Sequence, residues 1–134
     1  PRSTLFPYTT LFRSAWRAAH PGQPLLIYFW AEWCPICKTT AGSVDSIAAD
    51  HPTITVATQS GDAAAVARFM AEKGYRFPAL ADRDGAVMQS YRLPGTPGFV
   101  VLAPDGQIRF ISVGYTSEIG LRLRLWWAGI GATT

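Results

Sequence analysis

Apolar residues recur along the chain with two different periods, one typical of strands and one typical of helices. The run Leu25–Trp30 is apolar without interruption, which a strand buried on both faces requires. Within 34–50 the apolar residues recur near helical spacing. Asp62 and Gly74 are suited to cap the beginning and the end of an alanine-rich helix between them. The pattern therefore predicts both element types in alternation.

The predicted elements follow one another as β-α-β-α, a connector, and then β-β-α. The strands are predicted at 25–30, 53–57, 98–103 and 107–113, with a further extended piece at 78–81. The helices are predicted at 34–50, 62–73 and 116–127, with a helix end at 15–20 and a helical turn at 85–91. Strands that alternate with helices indicate a parallel sheet, and Pro104-Asp105-Gly106 predicts a closing antiparallel hairpin. We therefore predict an α/β fold with a central mixed β-sheet flanked by helices on both faces.

Composition and charge exclude several classes of protein. The 134 residues suit one domain, and a hydrophobic content of 49% with 16% charged residues argues against disorder. The formal net charge is +3, and no block of Lys and Arg marks a nucleic-acid groove. No run approaches the roughly 18 apolar residues that a membrane span needs. We therefore expect no nucleic-acid partner and no membrane span in this sequence.

The first residues do not resemble the rest. Residues 1–14 read PRSTLFPYTTLFRS and contain neither the apolar core nor the cleavage site of a signal peptide. The stretch from Thr4 to Ser14 looks like the translation of a short-read sequencing adapter. We predict that 1–14 is not native and that 15–134 is a domain truncated at its N-terminus. Recovery of these codons from the source genome would contradict this prediction.

The two cysteines, Cys34 and Cys37, lie between a predicted buried strand and a predicted helix. At the N-cap, Cys34 would face solvent and the unpaired amides of the first turn, where the helix dipole is positive. Pro35 suits the first helical position, which leaves the amides of Ile36 and Cys37 directed at the Cys34 sulfur. We predict that Cys34 is the attacking thiolate and that the more buried Cys37 resolves the mixed disulfide.

Other roles for the pair need further residues or different chemistry. A zinc site requires two more ligands, and neither His20 nor His51 has metal spacing to the cysteines. A structural disulfide across two residues would constrain the unfolded chain little. We therefore predict no metal and no cofactor beyond a redox-active Cys34–Cys37 disulfide. A Cu(I)-binding or chaperone-like module stays open, since soft thiolates select Cu(I). Peroxide reduction would require a different active-site context.

The segment FWAEWCPICK resembles the active-site segment of the thioredoxin superfamily, and Gly95-Thr96-Pro97 resembles its second element. The resemblance implies a thioredoxin fold and a protein disulfide oxidoreductase. It also implies that Pro97 is cis and faces the cysteines. The Thr96 backbone would then pair with a substrate strand.

Further substrate contacts are expected around the motif itself. We assign them to Trp33, Pro35 and Ile36, which lie in or beside the motif, whereas Trp33 could equally be a packing residue. Because Pro35 and Ile36 contribute no charge that would stabilise the thiolate further, the motif favours a reductant over a strong oxidant.

Two later stretches, GTPGFVVLAPDGQIRF and VGYTSEIGLRLRLWW, resemble the membrane-anchored periplasmic branch, which includes the TlpA-like and suppressor-for-copper-sensitivity D proteins. This likeness implies a periplasmic domain, an inner-membrane anchor lost from this sequence, and a role in copper or redox stress. It also implies disulfide-bearing protein substrates and a thiol–disulfide electron-transfer partner. Relatives in cytochrome c maturation are an alternative, weakened because Lys38 follows the motif where they have acidic residues.

The sequence departs from thioredoxin at Tyr28, where thioredoxin has a buried aspartate six residues before the first cysteine. A phenol is a poor proton acceptor at neutral pH, so Glu32 is the candidate acceptor for the Cys37 proton. Trp30 is expected in the core. Trp126 and Trp127 are also expected to pack there, although a partner or membrane patch is an alternative.

Overall fold

The computed structural model describes residues 22–131, which form five strands and four helices. In chain order they are β1 (Leu25–Trp30), α1 (Pro35–Asp50), β2 (Thr53–Thr58), α2 (Ala63–Lys73), β3 (Ala79–Asp82), α3 (Ala86–Ser90), β4 (Gly98–Leu102), β5 (Ile108–Val113) and α4 (Glu118–Gly131). The adapter-like segment 1–14 and the predicted helix end at 15–20 lie outside the described residues, so both stay predictions.

The five strands form one sheet in the order β3-β2-β1-β4-β5. β1 pairs parallel to β2, and β2 pairs parallel to β3, whereas β4 runs antiparallel to both β1 and β5. Ile27 in the central strand lies opposite Ile54 on one side and Val100 on the other. The predicted mixed sheet with a closing hairpin is confirmed.

Alternate residues of β1 supply two separate cores, because successive side chains of a strand point to opposite faces of the sheet. Tyr28 and Trp30 belong to the core that α1, α2 and α4 cover. Ile27 and Phe29 belong to a second core, against which Val87 of α3 packs. All six residues of β1 are buried, which explains its uninterrupted apolar sequence.

The predicted turns and caps are present. Asp62 Oδ1 accepts a hydrogen bond from the Ala65 amide at 2.9 Å, and Gly74 ends α2 with a φ of 74°. In the hairpin, Asp105 Oδ1 accepts from the Gln107 amide at 3.0 Å, and Gly106 has a φ of 92°. These polar and glycine positions set the element boundaries because they satisfy the free backbone groups there.

The last helix was misplaced by the sequence prediction at both ends. It begins at Glu118 because Ser117 Oγ accepts a hydrogen bond from the Gly120 amide at 3.1 Å. It continues to Gly131, beyond the predicted end at Trp127. Its buried residues are Leu121, Leu125 and Ala128, at the spacing of one helical face.

Core packing of Trp126 and Trp127 was a wrong prediction. Their exposed fractions are 60% and 61%, because the buried face of α4 lies on the other side of the helix. Trp30, in contrast, is in the core as predicted. Within residues 22–131, no helix has the length and apolar content to cross a membrane.

Candidate active site

The dithiol lies where β1 passes into α1. Cys34 is the N-cap of α1, with an extended φ of −97°, and its amide donates to the Ala31 carbonyl at 3.2 Å. Pro35 occupies the first turn, where its missing N–H removes no helical hydrogen bond. The predicted N-cap position of Cys34 is confirmed, and it places the sulfur at the positive end of a 16-residue helix.

The Cys34 sulfur is a hydrogen-bond acceptor. The Cys37 amide donates to Cys34 Sγ at 3.3 Å. Burial raises the pKa of Cys34, but the donor groups near its sulfur outweigh this effect and lower the pKa below the ordinary value. These donors are the Cys37 thiol, the Thr96 hydroxyl and the amides of Cys37 and Ile36. The prediction that Cys34 faces solvent was wrong. Its exposed fraction is 4%, because these donors surround the sulfur.

The pKa of Cys37 is changed in the opposite direction. Burial, together with its hydrogen bond to Cys34, raises the pKa of the Cys37 thiol to about 12. Its exposed fraction is 3%, as expected for the residue one turn further into the helix. Both cysteines are free thiols. The pair therefore combines one stabilised thiolate with one thiol that holds its proton.

The second element lies beside the dithiol. The Thr96–Pro97 peptide bond is cis, as predicted. The Thr96 hydroxyl is buried and makes no hydrogen bond of standard geometry among the described residues, but it is near enough to both sulfurs to lower the pKa of each thiol. The Pro97 carbonyl accepts from the Gly114 amide at 2.8 Å, whereas the Thr96 amide and carbonyl form no backbone hydrogen bond within 22–131.

Tyr28 anchors the first turn of α1. Its hydroxyl lies 2.8 Å from Thr40 Oγ1 and donates to the Cys37 carbonyl at 3.2 Å. Burial raises the pKa of Tyr28 far above its ordinary value, so the phenol stays neutral and cannot accept the Cys37 proton at physiological pH. Sequence reasoning missed Thr40, because only the packing of α1 on β1 brings the two hydroxyls together.

Glu32 lies in the turn between β1 and α1, two residues before Cys34. Its side chain is exposed, and its backbone amide donates to Ser60 Oγ at 2.9 Å. Among the described residues, no hydrogen bond joins its carboxylate to either cysteine. Its role as proton acceptor therefore stays a prediction.

The other predicted contact residues surround the dithiol with exposed apolar surface. Trp33, Pro35 and Ile36 are all exposed. The Trp33 indole N–H donates to the Gln59 carbonyl at 3.1 Å, which fixes the ring against the loop after β2. Gln59 was missed from the sequence, since nothing in its neighbourhood marks it as a partner of a residue 26 positions away.

Metal ligation finds little support in the donor set. Within 22–131, no three side chains of His, Cys, Asp or Glu gather closely enough to hold a metal ion. The described residues therefore supply the dithiol with no further ligand of the kind that a structural zinc site needs.

Alkylation of the reduced chain with iodoacetamide should modify Cys34 before Cys37. Thiolates are the reactive species, and the lowered pKa ionises Cys34 at pH values where an ordinary thiol is protonated, while a pKa of about 12 keeps Cys37 protonated. The rate at Cys34, followed by peptide mass spectrometry, should therefore rise with a midpoint below that of free cysteine. Thr96→Val should move this midpoint upward. Equal rates at both cysteines would contradict the assignment.

Comparison with protein families gives one match that covers most of the chain. The model of the AhpC/TSA family matches residues 13–111. The chain belongs to the AhpC/TSA family. This AhpC/TSA-family chain is also similar to a solved structure of a secreted Mycobacterium tuberculosis disulfide oxidoreductase homologous to E. coli DsbE, with 30% identity and a TM-score of 0.67. That likeness covers 82% of this chain and 85% of the other, and it confirms the thioredoxin fold.

Two curated relatives extend the comparison. The thioredoxin-like protein of Haemophilus influenzae is 32% identical over 79% of this AhpC/TSA-family chain. The soluble secreted antigen MPT53 of Mycobacterium tuberculosis is 34% identical over 71% of it. The chain spans 64% and 56% of these relatives' lengths, which is less than two thirds of each. Neither name refers to copper, so the copper-sensitivity resemblance stays a prediction.

Proposed function

We propose that this chain is a thiol–disulfide oxidoreductase that exchanges its Cys34–Cys37 pair with disulfides of protein substrates. The observation that carries the proposal is the inequality of the two thiols. The pKa of Cys34 is lowered by donors in the first turn of α1 and by the Thr96 hydroxyl, whereas burial raises the pKa of Cys37 to about 12. Attack and resolution need these two different properties from two neighbouring sulfurs.

The exchange proceeds in two balanced steps. The Cys34 thiolate attacks one sulfur of a substrate disulfide, which forms a mixed disulfide and releases the other substrate sulfur as a thiolate. The Cys37 thiol then loses its proton and attacks Cys34 Sγ, which releases the second substrate sulfur. The substrate gains two electrons and two protons, and the chain is left with a Cys34–Cys37 disulfide.

Substrate binding uses the free backbone of Thr96 and the exposed surface around the motif. An extended substrate segment can pair with the Thr96 amide and carbonyl, which have no backbone partner within the described residues. The apolar side chains of Trp33 and Ile36, together with Pro35, contact residues that flank the substrate cysteine. The Trp33 ring is already held by Gln59, so little ordering is needed on binding.

We also propose that the exchange runs as reduction in the periplasm. A secreted relative and the uncharged Pro35-Ile36 pair support this direction and location. A thiol–disulfide electron-transfer partner would then regenerate the dithiol. A role in copper or redox stress and an inner-membrane anchor on the complete protein belong to the same proposal. The reduction potential distinguishes the directions, with about −270 mV expected for a reductant and about −120 mV for a strong oxidant.

Insulin reduction tests the proposed activity against copper binding. In the presence of dithiothreitol, the chain should accelerate precipitation of insulin B chains well above the uncatalysed rate. A parallel titration with Cu(I) and a colorimetric chelator measures the alternative that two soft thiolates permit. Tight stoichiometric Cu(I) binding without any insulin reduction would replace the enzyme by a copper-binding module.

A further inference from the structure

The last helix carries an apolar surface that its own core does not use. Its inner face, Leu121, Leu125 and Ala128, is buried against the sheet. On the outer face lie five large apolar side chains with exposed fractions between 45% and 73%. This outer face, called here the α4 stripe, consists of Ile119, Leu123, Trp126, Trp127 and Ile130. It shares no residue with the dithiol site.

The apolar residues of the α4 stripe have the spacing typical of a helix that packs along a second helix. Ile119, Leu123, Trp126 and Ile130 follow one another at intervals of four, three and four residues. This is the alternation of the two apolar positions of a heptad, whose side chains face a second helix along one seam. A lone surface helix has no need of this arrangement, because only its inner face packs on the core.

Two arginines lie beside the α4 stripe, and one of them is already paired within the chain. Arg122 is bound by Glu118 at 2.9 Å and by Asp50 at 3.0 Å, so its charge is already paired within the chain. The Arg124 guanidinium lies over Gly120, where an added Cβ would come within 3.0 Å of Nη1. No ionisable side chain belongs to the stripe itself, so its burial would desolvate no unpaired charge within it.

The area of the α4 stripe fits a second copy of the same helix. Two half-exposed indole rings and three aliphatic side chains present roughly 500 Å² of apolar surface. Two such stripes would together bury roughly 1,000 Å², which is the lower limit for a specific protein interface. An interface of this size is expected to be reversible, with a micromolar dissociation constant.

We propose that the α4 stripe is the interface of a two-fold dimer in which the two α4 helices pack antiparallel. Ile119 then lies opposite Ile130 of the second copy, and Leu123 lies opposite Trp126 of the second copy. α4 contacts α1 through Ser46 and Asp50. Ser46 is about 14 Å along the helix from Cys37. Both dithiols therefore stay open to substrates in the dimer.

Sedimentation velocity of the complete chain over a range of concentrations tests the dimer. Wild type should shift from monomer to dimer in the micromolar range. Leu123→Glu and Trp126→Lys should each leave the chain monomeric, and a mixture of the two variants should dimerise again because the new charges face one another. Ile111→Glu is the matched control, since Ile111 is also an exposed apolar residue but lies on β5. Insulin reduction at wild-type rates per chain shows that each variant is folded.

Several results would overturn the dimer. A wild type that is monomeric at every concentration would do so, as would single variants that still dimerise. A mixture of the two variants that stays monomeric would exclude the antiparallel pairing. Monomeric wild type that sediments with phosphatidylglycerol vesicles, when Leu123→Glu does not, would assign the stripe to a membrane surface instead.

Discussion

Cys34→Ser is expected to abolish insulin reduction, whereas Cys37→Ser is expected to arrest the reaction at the mixed disulfide. A serine hydroxyl is not ionised by the donors that lower the Cys34 pKa, so attack should fall by at least about a thousandfold to the uncatalysed rate. Cys37→Ser keeps the attacking thiolate and removes only the sulfur that resolves the intermediate. Non-reducing electrophoresis after incubation with a disulfide-bearing protein should show a covalent adduct for Cys37→Ser alone.

Each of these two variants is the control for the other, because both replace one sulfur by oxygen in the same helical turn. Similar thermal unfolding of the two proteins would show that the difference arises from chemistry and not from folding. Adducts that form in Cys34→Ser and not in Cys37→Ser would reverse the assignment of attacking and resolving thiols. Activity that survives in Cys34→Ser would refute the proposed exchange altogether.

Trp30→Ala is expected to lower the free energy of unfolding by about 3–5 kcal/mol. The ring is 2% exposed, stacks on Phe69 at 5.7 Å between centroids, and donates its indole N–H to Thr55 Oγ1 at 3.1 Å. Its removal would leave a cavity and would take away one of the two hydrogen bonds of the Thr55 hydroxyl, which still donates to the Pro78 carbonyl. Since domains of this size are stable by only about 5–15 kcal/mol, the variant should unfold at a much lower urea concentration.

Trp33→Ala is the matched control for this prediction, since it is the same substitution three residues away. Trp33 is 58% exposed and makes one hydrogen bond, to Gln59, so the change should lower the free energy of unfolding by less than about 1 kcal/mol. It should instead weaken substrate reduction, because Trp33 flanks the dithiol. Urea unfolding curves that shift equally for both variants would contradict the different placement of the two rings.

The local sequence pattern predicted most of the elements, because apolar spacing depends on which side chains are buried and because turn and cap residues depend on the local backbone conformation. An uninterrupted apolar run identified β1, Asp62 and Gly74 marked the ends of α2, and a proline-glycine turn marked the β4–β5 hairpin. The final helix was the exception. Both of its faces are apolar, so periodicity alone could not tell which face meets the core, and Trp126 and Trp127 were assigned to the wrong one.

The site was only partly predictable for a similar reason. Cys34, Pro35 and Cys37 are neighbours in sequence, so their helix-start geometry follows from local rules. The burial of Cys34, the Tyr28–Thr40 hydrogen bond and the Gln59 carbonyl under Trp33 depend on segments that meet only after folding. No local signal in the sequence marks such partners.

By itself, then, the sequence determined the dithiol and its place at a strand–helix junction, because both depend on neighbouring residues. It also predicted the mixed sheet, because the order of strands and helices along the chain limits how the strands can pair. The tertiary structure decided how the two thiols differ. Packing of α1 on β1 buries Cys37, and the Thr96–Pro97 segment brings a hydroxyl to both sulfurs. Thr96 lies 62 positions after Cys34 and 59 after Cys37 in the sequence, and such long-range contacts set the environment on which each thiol pKa depends.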